Sequence, residues 1–245
     1  MYQKIKYILK GLFPKKLLFK YELIFRLILY QFYRGSKFQC NICKKELRQF
    51  VTTENGDALC PSCGSLPRNR RLWSILNGGF LKSGTKVLDF SPSRCLYRIL
   101  KNYPSLTYVS TDLSGDFIAD HTYIITAIDA ADDSYDVVVC YHILEHIEHD
   151  LQAMKELYRI LRPDGICLVQ TPFKGGPIYE DFTIQSEAER LKHFGQEDHV
   201  RIYSVDGLKE RLTANGFKVE IMEYIEREEN KFGYSKKEIV LFCRK

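Results

Sequence analysis

The run Asp136-Val137-Val138-Val139-Cys140 constrains this chain more than any other segment. It has no polar alternation, so a strand there needs apolar cover on both faces. Helices give that cover, and an open sheet with parallel strands becomes the expectation. The flanking segments agree. Lys86 to Phe90 is a short apolar run with an acid, Asp89, near its end. Leu96 to Asn102 is helical in pattern, and Leu106 to Thr111 is a second strand followed by Asp112. Asp150 to Leu161 is a helix stopped by Pro163 and Gly165, and Ile166 to Thr171 is a strand. Strands separated by helices pair in parallel through right-handed crossovers. Gly216 to Ile221 and Glu238 to Cys243 read as a terminal hairpin at one edge.

Composition supports one main domain and a small appendage: 245 residues, 45% of them hydrophobic. The formal charge of +5 is uneven. Residues 1–37 hold nine Lys/Arg and one acid, Glu22, which leaves −3 for the remainder. The basic character belongs to the N-terminal arm, which argues against a whole protein built for nucleic acid. Residues 1–34 read as amphipathic helices interrupted at Gly11 to Pro14, with Leu23, Ile24, Leu27, Ile28 and Phe32 at helical spacing. The plainer reading packs that stripe on the main domain; the sharper one lays a basic helix on an anionic membrane. The best apolar stretch, Leu23 to Tyr33, contains Arg26 and is shorter than the ~20 residues of a membrane span. No small-residue cleavage site follows it, so a signal peptide is not expected.

Cys40-Asn41-Ile42-Cys43 and Cys60-Pro61-Ser62-Cys63 lie sixteen residues apart. Each Cys-x-x-Cys turn aims two sulfurs at one ion, and two turns complete a tetrahedron. The spacing reads as a structural zinc site on Cys40, Cys43, Cys60 and Cys63; two disulfides or a redox pair are the alternatives. Gly64 suits the tight backbone behind the second turn. Cys140, Cys167 and Cys243 sit in strand-like apolar runs and read as small buried hydrophobes. The cysteine usage and the missing leader point to a reducing cytosol. Residues 66–80 read as a connecting helix that starts near Pro67, carries Arg68, Arg70 and Arg71, and leaves at Gly78-Gly79.

In open α/β sheets a ligand binds at the carboxyl ends of the strands. Asp112 follows Asp89 by 23 residues, close to the spacing at which an acid holds a ribose hydroxyl in dinucleotide sites. Asp112 is placed to accept from both ribose hydroxyls. Asp89 is placed to orient its loop and face a cationic ligand end.

The motifs together resemble a known family. Val87-Leu88-Asp89-Phe90-Ser91-Pro92, Ser110-Thr111-Asp112-Leu113, Asp133 to Cys140, His142-Ile143-Leu144-Glu145-His146-Ile147 and Leu157 to Gly165 look like the successive motifs of class I S-adenosylmethionine-dependent methyltransferases. The cysteine module is similar to that of the methyltransferase-11-like branch. The resemblance implies a Rossmann-like, doubly wound, seven-stranded sheet with its last strand antiparallel. It implies S-adenosylmethionine as cofactor, held by Asp89, Phe90, Ser91, Pro92, Asp112, Leu113, Ile125, Thr126, Cys140 and Tyr141. Ile125 to Ile128 then covers the adenine, and Cys140-Tyr141-His142 lies beneath the sulfonium. Two departures stand out. Ser91-Pro92-Ser93 replaces the usual glycine-rich loop, and Ile124 stands where relatives often have an acid, with Asp120 the nearest substitute.

The expected organisation is an arm at 1–37, a zinc module at 38–66 and a methyltransferase domain at 67–245. The expected reaction moves a methyl group to an oxygen or nitrogen of a small-molecule or glycan-type acceptor. Rivals are an RNA methyltransferase that grips nucleic acid with its arm and zinc module, and a non-catalytic scaffold. Methyl transfer needs alignment and, for a hydroxyl acceptor, a base. The catalytic candidates are His142, Glu145, His146 and His199; Asp198, His199, Arg201 and Tyr203 form a substrate-side group on a loop. Capping or core roles for His142 and His146 are equally open. Glu145, His146 and His149 do not read as a metal site, because helical neighbours point to different faces. The expected location is cytoplasmic, with the arm touching a membrane periphery.

Overall fold

The computed structural model describes residues 15–226 and 229–245, so the first fourteen residues of the arm expected at 1–37 lie outside the described residues. The chain forms two compact units. The first takes the chain up to Phe80, with Ser93–Ile99 and Tyr224–Glu238; the second takes Leu81–Pro92, Leu100–Glu223 and Ile239–Lys245.

The first unit begins with helix α1, Lys15–Gln31. Its apolar stripe does not pack inward. Leu23, Ile24, Leu27, Ile28 and Phe32 are each 51–56% exposed. The buried positions are Glu22, Arg26 and Tyr30, one per turn along the opposite face. Glu22 accepts from Arg26 Nε at 2.7 Å and from Arg98 at 2.8 Å, with Arg94 3.5 Å away. Burial pushes this carboxyl up, and the arginines together hold it below its ordinary value. A charged cluster therefore anchors the helix, and the plainer reading of the stripe is corrected.

After α1 come two small antiparallel ladders. β1 (Arg34–Gln39) pairs with β2 (Glu46–Leu47), and β3 (Val51–Thr52) pairs with β4 (Ala58–Leu59). A cysteine turn follows β1 and another follows β4. In the first, Lys44 N donates to Cys40 O; in the second, Gly64 N donates to Cys60 O. Both fourth-after-cysteine residues are left-handed, with φ of 61° at Lys44 and 77° at Gly64. Lys44 adopts this torsion without being glycine, but a Cβ on Gly64 would lie 2.4 Å from the buried Arg26 guanidinium, so glycine suits that position for space. Helix α2 (Pro67–Ile75) then runs into a wide turn, Leu76–Phe80, containing Gly78 and Gly79.

The second unit holds most of a six-stranded sheet of order β11-β12-β8-β7-β5-β6. The strands are β5 (Lys86–Phe90), β6 (Thr107–Thr111), β7 (Tyr135–Tyr141), β8 (Leu161–Gln170), β11 (Lys218–Ile225) and β12 (Lys237–Arg244). Neighbours among β6, β5, β7 and β8 are parallel, and β12 is antiparallel to β8. This is the expected Rossmann-like arrangement with an antiparallel last strand. Val137, Val138, Val139 and Cys140 are all buried, as a strand covered on both faces requires. Cys167 and Cys243 are fully buried opposite each other across the β8–β12 pair.

Among the described residues the sheet has six strands, not the implied seven. Beyond the edge strand β6 the chain makes only an isolated parallel bridge, Thr111 with His121. Its backbone groups go partly to the edge strand, where Asp120 N and His121 N both donate to Ser110 O, and partly to a turn, where Ala127 N donates to Ile124 O. β8 also starts earlier than expected. It includes Pro163, which is tolerated because a register irregularity in the pairing with β7 lies there.

The crossover helices are α3 (Arg94–Lys101) and α4 (Asp150–Ile160). Beyond β8, a short pair of strands, β9 (Tyr179–Glu180) and β10 (Arg201–Ile202), brackets helix α5 (Glu187–Phe194). Helix α6 (Val205–Ala214) follows.

Candidate functional site

In the first unit the four cysteine sulfurs converge. Cys40 Sγ lies 3.6 Å from Cys63 Sγ, and Cys43 Sγ lies 3.8 Å from Cys60 Sγ. All four thiols are free. Zinc–sulfur bonds of about 2.3 Å in a tetrahedron place sulfurs about 3.8 Å apart, so the spacing has the dimensions of a four-thiolate metal centre.

Arg70 lies fully buried beside the sulfurs. Its guanidinium donates to Ser65 O at 2.7 Å, Ala58 O at 2.8 Å, Phe232 O at 2.6 Å and Gly233 O, and it covers the Phe50 ring. No carboxylate pairs with it among the described residues. Burial pulls its pKa down, and the charges of Cys40, Cys60 and Cys63 push it back. A buried cation without a counter-acid is costly, and four thiolates on a divalent metal give the missing negative charge. Arg71 pairs with Glu226 and packs over Tyr234.

In the second unit the expected cofactor residues gather at the carboxyl edge of the sheet. Register places Asp89 opposite Ser110 and Val139, and Phe90 opposite Thr111. Asp89 is 2% exposed and accepts one side-chain bond, from Tyr108 at 3.0 Å. Burial pushes its carboxyl up to about 7, against the lowering by Tyr108. Ser91 sits in the left-handed region at φ 47°. Here a non-glycine residue adopts the torsion that a glycine-rich loop normally supplies. The conformation is held by two bonds: Ser91 N donates to Thr111 O at 2.7 Å, and Ser91 Oγ to Asp112 Oδ1 at 2.7 Å. Asp112 also accepts from Ser114 Oγ and from Gly115 N at 2.7 Å.

Several expected contacts change. Phe90, Ile125 and Cys140 point into the apolar core and have no exposed side chain to offer a ligand. Ile124 and Leu113 are exposed instead, at 52% and 65%, with Thr126 half-buried. Pro92 is buried and Tyr141 half-buried. Asp120 does not stand in for the missing acid, because its carboxylate is taken by Lys101 and Ser110 at 2.8 and 2.9 Å.

At the ends of β7 and β8 the chain leaves buried polar atoms with no hydrogen-bond partner: His142 Nε2, Gln170 Oε1 and Thr171 Oγ1. His142 is left-handed, at φ 55°, and its N–H donates to Gln170 O. Orphaned atoms and backbone strain on one edge mark a place where something else binds.

Next to this edge a short 3₁₀ turn, Leu144–His146, carries the catalytic candidates. Glu145 is 1% exposed, with His142 Nδ1 3.3 Å from its carboxylate. Burial raises this carboxyl, but His142 and then His146 hold it below its ordinary value. His146 Nδ1 lies 3.2 Å from the Asp198 carboxylate, and its ring meets His199 edge-on at 4.7 Å. Burial, then His146, lowers the pKa of His199. His149 is exposed and takes no part.

Arg201 and Tyr203 are not free to read a substrate. Arg201 is fully buried; it donates to Leu144 O, Ile147 O and Glu148 O, and to Glu180 at 2.8 Å. Tyr203 donates to Asp150 at 2.5 Å, and Arg211 bridges Asp150 to Glu180. These residues clamp the 3₁₀ turn and carry His199 to His146. Asp150, Glu180 and Arg211 were missed from sequence, where they read as ordinary helix and loop charges.

Residues 68–220 match the family described as a methyltransferase domain. The chain belongs to that family. A curated Mycolicibacterium smegmatis protein, described as a probable S-adenosylmethionine-dependent methyltransferase, is 46% identical over 41 residues, which is 17% of this chain and 16% of that protein. A SAM-dependent methyltransferase from Archaeoglobus fulgidus shares the fold at TM-score 0.53 and 15% identity, over 74% of this chain and 95% of its own. Phosphoethanolamine N-methyltransferase 2 of Haemonchus contortus, solved with S-adenosyl-L-methionine, does so at 0.51 and 15%, over 71% and 51%. At these identities the structures speak for the fold alone.

Proposed function

We propose that the chain is an S-adenosylmethionine-dependent methyltransferase acting on a small-molecule or glycan-type acceptor, with a structural zinc on its four cysteines. The carrying observation is the strand-end edge: a buried acid at Asp89, the Ser91–Asp112 clasp, and orphaned polar atoms beside them. These fit a ribose-bearing cation. Asp112 exchanges its Ser91 and Ser114 hydroxyl donors for a ribose diol, Asp89 faces the positive end, and exposed Leu113 and Ile124 flank the base.

When bound, the cofactor supplies a methyl group on a positively charged sulfur. The chain's residues align the acceptor and take its proton. The pair His142–Glu145, next to the strand-end edge, is the candidate to take a hydroxyl proton, and the lowered pKa of His199 keeps that ring neutral at physiological pH. Calorimetric titration with S-adenosylmethionine and S-adenosylhomocysteine tests the reading. Saturable binding is expected in wild type, with His199→Ala keeping affinity but losing turnover. No binding at millimolar cofactor overturns it in favour of a scaffold.

Two observations bear on partners. An RNA partner gains nothing from Arg70 and Arg71, since both are buried in internal contacts. The exposed stripe of α1, on a basic arm, favours an anionic membrane surface as its partner. Among the described residues no helix is long and apolar enough to cross a membrane, so this contact is peripheral. Flotation that is indifferent to anionic lipid removes it.

A further inference from the structure

The adjacency of Glu145 and His146 argued against a metal, yet their side chains converge once the loop before β10 is in place. Glu145, His146 and His199 each offer a ligand atom, and these atoms lie within 4.8 Å of one another. Fifty-odd residues separate His199 from the other two, and a built scaffold closes that distance. Val200 N donates to Glu145 O at 2.9 Å, and Arg201 holds the carbonyls of Leu144, Ile147 and Glu148.

We propose that Glu145, His146 and His199 form a divalent-cation site, separate from the four-cysteine centre, whose open positions take oxygen atoms of the acceptor. Two imidazoles and one carboxylate are the donor set of catalytic metal sites, and three protein ligands leave positions free. Ligand bonds of about 2.0–2.2 Å need only a small inward closure of the three donors.

Two further observations support it. Both Glu145 carboxylate oxygens are buried without a hydrogen bond, and the His142 ring comes no nearer than 3.3 Å, at Nδ1. A buried carboxylate left this way is expensive, and a cation satisfies it. Asp198 stands at His146 Nδ1, through both its carboxylate at 3.2 Å and its carbonyl at 3.3 Å. An oxygen at Nδ1 fixes the tautomer whose lone pair is on Nε2, the arrangement that orients metal-binding histidines. The acceptor class is then hydroxyl-bearing, which narrows the oxygen-or-nitrogen choice. That last step rests on the methyltransferase reading; the cation site does not.

The probe is Mn²⁺, a harder ion than the zinc that four thiolates retain. Zinc-loaded protein is titrated while free Mn²⁺ is followed by electron paramagnetic resonance, and zinc is assayed throughout. Wild type should bind one equivalent saturably. Glu145→Gln and His146→Gln should each weaken binding about 10- to 100-fold or more, with zinc content and circular dichroism unchanged. Because the metal-free carboxylate is unsatisfied, Glu145→Gln should melt no lower than wild type without Mn²⁺ and lose only the Mn²⁺-induced rise. No saturable binding at millimolar Mn²⁺, or variants that bind like wild type, overturns the site. Cofactor calorimetry on the same samples separates the claims: Mn²⁺ binding without cofactor binding removes the methyltransferase reading, and the converse removes the cation site.

Discussion

The cysteine centre and the strand-end edge are built on opposite principles. At the cysteines four sulfurs converge within metal-ligand reach of one another, and Arg70 spends its N–H groups on four carbonyls. At the strand ends, His142, Glu145, Gln170 and Thr171 keep polar atoms without partners, and Ser91 and His142 hold left-handed torsions. The open edge carries strain and unmet hydrogen-bonding capacity, which is what a ligand site requires.

The strongest way to break this contrast is to remove the zinc proposed for the four cysteines. Cys43→Ser or a tight chelator should abolish bound zinc and collapse the first unit's transition, since a structural zinc contributes about 10–16 kcal/mol of apparent binding energy. Metal analysis and calorimetric melting read the outcome. If Cys40 and Cys43 are alkylated freely in folded wild-type protein, the closed description fails.

The next test is one substitution made in both regions. Arg70→Met and Arg201→Met each delete a buried guanidinium and should each cost about 3–5 kcal/mol in urea unfolding. Their side effects should differ. Arg70→Met should loosen zinc, because it removes the positive charge beside the thiolates. Arg201→Met should leave zinc intact and reduce turnover by displacing His199. Loss of zinc in both variants would mean that the two regions are not separate.

Smaller effects concern the open edge. Asp112→Ala should weaken cofactor binding about 10- to 150-fold, the worth of a charge-assisted hydrogen bond of about 1.5–3 kcal/mol. The smallest effect is a slope. Asp89 has its pKa raised from 3.8 to about 7 by burial, so the folded state holds its proton more tightly than the unfolded one. Its contribution is fully present below about pH 4 and is lost as pH rises through about 7. Glu238, also raised to about 7 by burial, adds to the same window. Asp89→Asn should flatten Asp89's share of the decline in melting temperature between these limits. It should also weaken the cofactor, whose positive end favours the ionised acid.

Much of the site was legible where its residues are neighbours in sequence or end a strand. The cysteine turns carry their own geometry within four residues. Asp89 and Asp112 were found because strand register lines up whatever ends two adjacent strands. The resemblance supplied the cofactor loop but not the device that replaces its glycine, a serine hydroxyl bonded to Asp112. Residues in non-repeating segments were read less well. Arg201 and Tyr203 looked like surface polar groups and are core clamps. Ile125 was expected to cover a ligand and lies in the core. A turn has no periodicity from which facing can be read.

By itself the sequence determined the layered α/β sheet, because apolar runs of strand length between helical segments have few ways to bury both faces. It determined the four-sulfur cluster as well, because short spacings leave little choice of geometry. Tertiary structure decided which face of α1 is left bare, how many strands the sheet keeps, and that His199 meets Glu145 and His146. Each of these depends on a partner distant in the chain: Arg98 for Glu22, Ser110 for Asp120, and Arg201 for the carbonyls of the 3₁₀ turn. Long-range ion pairs and caps of this kind follow no spacing rule, so their outcome appears only when the chain is folded.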